Sequence, residues 1–176
     1  MYDLELVRPT SGHKNSADEF KQEFFSCNEK VINGSALLDQ LGYDAWLDHI
    51  TNLRNPETEK NGWVVSDTFF AVRKSDSKII GIIDIRHNIG DEFLSKYGGH
   101  IGYAVRPGER RKGYATQMLK LALEHAKSIG LSRVMLGCYS DNWGSIRTIE
   151  KCGGVLTETK PYIDEKPMNI YWIELS

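Results

Sequence analysis

Apolar and polar positions alternate from the first residues of the chain. Leu4 and Leu6 are interleaved with acids until Val7-Arg8-Pro9 closes the run, the pattern of a first strand. Ser16 and Asp18 are placed to cap a helix carrying Phe20, Phe24 and Phe25. From Tyr43 to Leu53 the spacing of Trp46, Leu47, Ile50 and Leu53 puts four apolar side chains on one face of a second helix. Asn55-Pro56 is its stop. Phe69 to Arg73 and Lys78 to Arg86 are β-branched or aromatic runs joined by the polar turn Ser75-Asp76-Ser77, which predicts a hairpin. Asn88 to Gly98 reads as a loop, and His100 to Val105 as a strand ended by Pro107-Gly108. Tyr114 to Ile129 holds apolar residues at Ala115, Met118, Leu119, Ala122, Ala126 and Ile129, a strong helical pattern that Gly130 terminates. Arg133 to Tyr139 is almost wholly apolar, as a strand covered on both faces should be. Asp141-Asn142 opens a shorter helix that ends at Gly153-Gly154. Two strands close the chain, near Val155 to Pro161 and Met168 to Leu175.

The predicted order is strand, two helices, three strands, helix, strand, helix, two strands. That order implies an α/β fold with a mixed sheet and helices on both of its faces. No internal repeat, low-complexity tract or linker interrupts it, and 176 residues fit one domain spanning 1–176. An apolar fraction of 40% supports a real core. A net charge of −2 gives no reason to expect nucleic acid or an anionic membrane as partner. Cys27, Cys138 and Cys152 are odd in number and far apart, so neither a disulfide framework nor a metal site is expected. The N-terminus lacks the apolar block of a signal peptide, and no stretch is long enough to span a bilayer, so the expected location is cytoplasmic.

The chemistry is concentrated between Val105 and Thr116. A strand ends at Val105, a short loop carries Arg106, Arg110, Arg111 and Lys112, and a helix begins at Tyr114, Ala115 and Thr116. Gly113 lets the backbone approach a ligand with no Cβ in the way. The first amides of a helix lack internal partners and the dipole adds partial positive charge, so this terminus is suited to phosphate.

This segment resembles the acetyl-CoA signature of the GNAT superfamily of N-acetyltransferases, with Arg110, Gly113 and Ala115 at its three defining positions. The resemblance extends through Val134 to Tyr139, and through Asn142-Trp-Gly-Ser145 to Glu150-Lys-Cys-Gly153, which is similar to the family's next motif. The N-terminal half matches in the order of its elements only. The resemblance implies a mostly antiparallel central sheet of about seven strands. It also implies two neighbouring parallel strands, here His100 to Val105 and Arg133 to Tyr139, that splay apart, often with a bulge. The pantetheine arm of acetyl-CoA would lie in that gap and bond to Val105. Amides from Arg111 to Thr116 would hold the pyrophosphate, and Arg106, Arg110 or Lys112 would reach the 3′-phosphate. Asn142 would cap its helix and also reach the arm, and Ser145 would close the cap or bond to the cofactor.

The pattern breaks in two places. The family often carries a Tyr just before Glu-Lys as acid for the departing thiolate; here that position is Ile149, and Tyr139 is the substitute phenol. A thiolate leaves with little help, since a thiol pKa is about 8.5. A base is needed to free an amine acceptor, and His100 is the first candidate, with Asp84, His87 and Tyr103 on adjoining strands. The function implied is acetyl transfer from acetyl-CoA to an amine of a small molecule or peptide by direct attack on the thioester. The rival is a GNAT-like domain that binds CoA as a sensor with little catalysis. A homodimer is left open. The acceptor is expected to meet an aromatic-rich wall drawn from Phe24, Tyr43, Trp46, Trp63, Tyr162 and Trp172, most of them core.

Overall fold

The computed structural model describes residues 2–176. Strands β1 (Leu4–Val7), β2 (Ser66–Arg73), β3 (Ile79–Arg86) and β4 (Ile101–Val105) pair antiparallel in the order β1-β2-β3-β4. Strands β5 (Arg133–Tyr139), β6 (Val155–Pro161) and β7 (Pro167–Glu174) form a second antiparallel sheet in the order β5-β7-β6. The expected seven strands are present, divided into two sheets between β4 and β5.

Helices cover both faces. On one, α1 (Lys14–Ser26) and α2 (Tyr43–Asn52) pack Phe20, Phe24 and Trp46 against Phe70, Ile79 and Ile82. On the other, α3 (Tyr114–Ser128) and α4 (Trp143–Lys151) pack Met118, Leu119, Ala126 and Ile149 against both sheets at once. Ile83 and Ile101 of the first sheet share that core with Val134, Leu136 and Ile173 of the second. The two sheets are therefore held side by side by what lies beneath them. β2 and β3 are buried along almost their whole length, which is why their sequences run apolar without alternation. Among the described residues no helix is long and apolar enough to cross a membrane.

Several boundaries differ from the sequence reading, β2 beginning at Ser66 ahead of Phe69 among them. α1 begins at Lys14, ahead of Ser16 and Asp18, because a short turn at Ser11–His13 is closed by Thr10 and His13, with the Thr10 N–H donating to His13 Nδ1 at 3.0 Å. Asn55-Pro56 ends nothing outright: it starts a 3-10 turn, Pro56–Asn61, capped by Asn55, whose Oδ1 accepts the Glu57 N–H at 3.0 Å. β4 begins at Ile101, one residue after His100. The expected loop from Asn88 to Gly98 contains a π-type turn, Leu94–Gly98, started by Asp91, which accepts the Leu94 N–H at 3.0 Å. A bulge does not accompany the splay, since β3 and β4 pair in unbroken register from Gly81↔Val105 to Ile85↔Ile101.

The segment between α1 and α2 crosses the first sheet at β4. Gly34 lies with φ +69° directly over Gly102, so that a Cβ on Gly34 would run into the Gly102 carbonyl. Gly130, at the end of α3, also has a positive φ, +94°, but a Cβ there would meet nothing within 4 Å. The pair separates backbone strain from collision. Gly130→Ala is expected to cost about 1 kcal/mol. Gly34→Ala is expected to cost several times as much, because the crossing itself must shift. Thermal unfolding of the two variants checks this, at roughly 2–4 °C per kcal/mol for a chain of this size.

Candidate active site

The site begins with the free edge of β4. The Arg86 N–H donates to the His100 carbonyl and the Arg106 N–H to the Ile80 carbonyl, each at 2.7 Å. In an antiparallel ladder these bonds fix the parity: His100, Gly102, Ala104 and Arg106 turn their backbone groups toward β3. Ile101, Tyr103 and Val105 therefore turn theirs the other way, toward β5, where no ladder forms. The two sheets touch only at the start of β4. There Gly99 bridges to Leu136, and the His100 N–H donates to the Met135 carbonyl at 2.8 Å. Beyond that point the edge of β4 is open. The Val105 carbonyl is taken by Arg110 Nε at 3.1 Å, while the Val105 N–H and both backbone groups of Tyr103 have no protein partner among the described residues.

The open edge leads into a loop that gathers free backbone N–H groups. A turn at Pro107–Glu109 is followed by Arg111 with φ +63° and Gly113 with φ +83°, and α3 starts at Tyr114. Among the described residues none of the six consecutive N–H groups from Arg111 to Thr116 donates to a protein acceptor; the first to do so is Gln117, to the Gly113 carbonyl. They cluster at the positive end of a 15-residue helix. A Cβ added at Gly113 would project into open space, with nothing within 4 Å.

The loop cations are less free than their number suggests. Arg106 is buried and turned away from the loop: its Nε bonds Glu23 at 3.1 Å and its Nη1 the Ile79 carbonyl at 3.1 Å. Arg110 makes a forked pair with Glu29, at 2.9 and 2.8 Å. Lys112 donates to Glu109 at 2.9 Å, and the same buried carboxylate accepts from Lys78 and Arg73. Lys112 foremost, with Lys78 and Arg73, pulls the Glu109 carboxyl down to about 2. The side chain of Arg111, by contrast, has no partner among the described residues. On α4, Asn142 accepts the Ser145 N–H at 3.2 Å as a helix cap, and Ser145 Oγ sits 3.2 Å from the Tyr103 hydroxyl, tying α4 to β4.

On the opposite face of the first sheet lies a cleft of about 450 Å³. The α1–α2 segment, the ends of β2 and β3 and the π-type turn enclose it; Ile32, Asp39, Trp63, Asp84, Arg86 and Phe93 are among its walls. Asp84 is buried, with Thr68 donating to Oδ1 at 3.0 Å and Arg86 Nε to Oδ2 at 3.1 Å. Burial pushes its carboxyl above the usual range, against the pull of Arg86 and Thr68. Arg86 also donates to the Gly98 and Gly99 carbonyls at 3.2 Å, holding the turn that enters β4.

The two residues expected to carry protons occupy different surroundings. His100 is buried at the closed end of the split, where its Nδ1 accepts the Met135 N–H at 3.0 Å. Burial first, then the charges of Arg86 and Arg133, push the imidazole down to about 4. It is therefore neutral at pH 7, with its proton on Nε2. Tyr139 donates to Asp164 Oδ2 at 2.6 Å, and that bond pushes the phenol up to about 12. It belongs to an aromatic cluster with Tyr162, Tyr97 and Phe93 that docks the β6–β7 hairpin against the π-type turn. Of the expected aromatic wall, Trp63 lines the cleft, Tyr162 joins this cluster, and Phe24, Tyr43 and Trp46 are core. Phe93, Tyr97, Arg86 and Asp39 were not anticipated. A signal for the first two was present: Asp91 three residues before Leu94, and Glu92 four before Lys96, mark a helical turn.

Comparison with known proteins follows the same lines. The Acetyltransferase (GNAT) domain family matches residues 4–155. The uncharacterized N-acetyltransferase YjdG of Bacillus subtilis (strain 168) is 28% identical over 132 residues, 68% of this chain and 74% of YjdG. The ribosomal-protein-S5-alanine acetyltransferase from Vibrio fischeri superposes with a TM-score of 0.74 at 16% identity, covering 100% of this chain and 95% of that one. The microcin C7 self-immunity acetyltransferase MccE, solved with acetyl-CoA and AMP, gives 0.71 at 16% identity, covering 99% and 93%.

His100 provides a pH test of its structural part. Its neutral form is the one the fold uses, so its contribution is complete above the unfolded pKa near 6.5 and is lost as pH falls toward 4. His100→Ala leaves the Met135 N–H unpaired in the interior, at a cost on the order of 1–3 kcal/mol near pH 7.5. The stability gap between wild type and variant should narrow steadily from pH 7 to pH 5 in denaturant titrations. A constant gap would show that the ring contributes packing alone.

Proposed function

Since the chain belongs to the GNAT acetyltransferase family, we propose that residues 1–176 act as one transferase domain that moves an acetyl group from acetyl-CoA to an amine. The observation that carries this reading is the run of six unpaired N–H groups, Arg111 to Thr116, next to the open edge of β4. The amides suit a pyrophosphate. The free groups of Tyr103 and Val105 suit the amides of a pantetheine arm, which would add to β4 as an extra strand. Arg111, the loop cation with no acid on it among the described residues, is the first choice for a nucleotide phosphate. Asn142 and Ser145 stand on α4 beside Tyr103 and would meet the arm from that side. A donor made inside the cell goes with a cytoplasmic location.

The reaction needs no covalent enzyme intermediate. The acceptor nitrogen attacks the thioester carbonyl carbon, a C–N bond forms, the C–S bond breaks, and the electron pair leaves on sulfur. Two protons must be placed. One comes from the acceptor, because an alkylammonium with a pKa of about 10.4 cannot attack. The other leaves the nitrogen as the tetrahedral adduct collapses to the amide and passes through water to the departing thiolate, a leaving group of pKa about 8.5 that needs no stronger acid. In this reading Tyr139 donates no proton, its hydroxyl being engaged by Asp164.

For the base we favour Asp84 over His100. Asp84 opens on the cleft, and its raised carboxyl is closer to the pKa a base requires at neutral pH. His100 is a poor proton acceptor at about 4, and its one unprotonated nitrogen is already used by Met135. The acceptor would enter the cleft from the α1–α2 side and meet the thioester through the split between the sheets.

Saturating acetyl-CoA, at 100 times its Kd, should stabilise the protein by about 2.7 kcal/mol in a thermal-shift assay. Gly113→Ala should cut that shift sharply while leaving the free protein folded, as its Cβ enters the space the ligand needs. No shift in the wild type would remove the donor from this reading.

Kinetics separate the two bases. Asp84→Asn should lower the acetylation rate at pH 7 by about 10²–10⁴-fold, with partial recovery at pH 9, and leave the acetyl-CoA shift intact. His100→Ala should lower it far less once loss of stability is allowed for. The reverse order of effects would return the base to His100.

A further inference from the structure

The walls of the cleft carry more negative charge than a lone amine can use. Three carboxylates line it, Asp39, Asp84 and Asp91, against a single cation, Arg86. Asp84 is paired with Arg86. Asp39 and Asp91 pair with no lysine or arginine among the described residues. Each is nevertheless fixed: the Ile32 N–H donates to Asp39 Oδ2 at 2.7 Å and the Leu94 N–H to Asp91 Oδ1 at 3.0 Å. In both cases the second carboxylate oxygen remains for something else. The same cleft includes Trp63 and Phe93, exposed at 47% and 42%, unusual for side chains of that size.

Unpaired carboxylates are the wrong neighbours for the reacting nitrogen. A carboxylate bonded to an ammonium favours its charged form, and so opposes the deprotonation that must precede attack. Asp84 escapes this objection because Arg86 offsets its charge and burial raises its carboxyl, so that it takes up a proton more readily. Asp39 and Asp91 have no such offset. They make chemical sense if they hold a different nitrogen, one that stays protonated throughout. An alkyl linker would then lie against Trp63 and Phe93, whose faces also attract cations. A cleft of about 450 Å³ is the size of a small-ligand pocket.

Resting on the transferase reading above, we infer that the preferred acceptor is a small amine carrying a second, non-reacting cation: a diamine or polyamine in which Asp39 and Asp91 grip the remote ammonium and Asp84 serves the near one. The remote charge sets affinity and register, so that one end of the molecule is acetylated while the other is anchored.

The test compares acceptors that differ only at the far end. With acetyl-CoA and thiol detection at one pH, kcat/KM is measured for 1,5-diaminopentane, 5-amino-1-pentanol and 5-aminopentanoate. The expected order is diamine, alcohol, acid, with about tenfold or more between the first two, the usual weight of a charge-assisted hydrogen bond. D39N and D91N should each lower the diamine-to-alcohol ratio by at least about threefold, mainly through KM. Neither substitution removes the acceptor that the fold itself uses, since an amide oxygen can still take the Ile32 or Leu94 N–H. Equal rates for diamine and alcohol would overturn the inference, as would a ratio that neither substitution moves. Should none of the three be acetylated, the inference falls. A persisting acetyl-CoA thermal shift, with turnover of a peptide N-terminus, would then leave the transferase reading standing; loss of that shift as well would remove both.

Discussion

Backbone polar groups need a partner or water, and β4 has a strand on one edge alone. The functional architecture follows from keeping the other edge bare. Two sheets in contact along their whole length would zip into a single ladder, and here they meet only where His100 and Gly99 reach β5. What prevents further closure is the shared core below. Met118, Leu119 and Ala122 of α3 and Ile149 of α4 belong to one apolar cluster with strands of both sheets, so the separation of the sheets is set by helix side chains and not by strand-to-strand bonds. Tyr103 and Ser145 add a polar tie between β4 and α4 at the same level. Above the sheet, Gly34 on Gly102 and Arg86 on the carbonyls of Gly98 and Gly99 hold the entry to β4 from the other side.

Charge is arranged so that only some of it is offered to a ligand. Glu109 is buried beneath the loop before α3 and neutralises cations from β2, the turn after it and the loop itself. Glu23 and Glu29, from α1 and the turn just after it, do the same for Arg106 and Arg110. The loop therefore presents backbone N–H groups more than side-chain charge, and a backbone donor loses no rotamer entropy when it binds. The cleft on the far face shows the complementary arrangement, with Asp84 balanced and Asp39 and Asp91 left unbalanced.

Much of this could be read in the sequence, for reasons that differ by element. β5 was legible from Arg133 to Tyr139 because burial on both faces makes an unbroken apolar run. The start of α3 was legible because Gly113 and the 3.6-residue period of Met118, Leu119 and Ala122 change the pattern abruptly. Arg106 and Arg110 were not separable from Arg111, since their partners Glu23 and Glu29 lie about eighty residues away and no spacing rule connects them. His100 stood near the family's base position, but its fate was decided by Met135 on a strand from the other sheet. The stretch before β4 looked like a loop because its helical turn is short and capped by a single aspartate. Long-range pairing was the common element in what escaped.

The left-handed residues of the loop before α3 have a thermodynamic consequence. Arg111 and Gly113 hold the chain in its curved form before any ligand arrives, and Arg111 does so with a side chain that disfavours that form. The conformational search has been completed during folding, so it need not be repeated at each encounter. Association of an anion with these N–H groups would then cost mainly the freedom of the small molecule, with little change in the protein's own entropy. The backbone here behaves as a template cast in advance, with its strain carried by the other contacts of the domain.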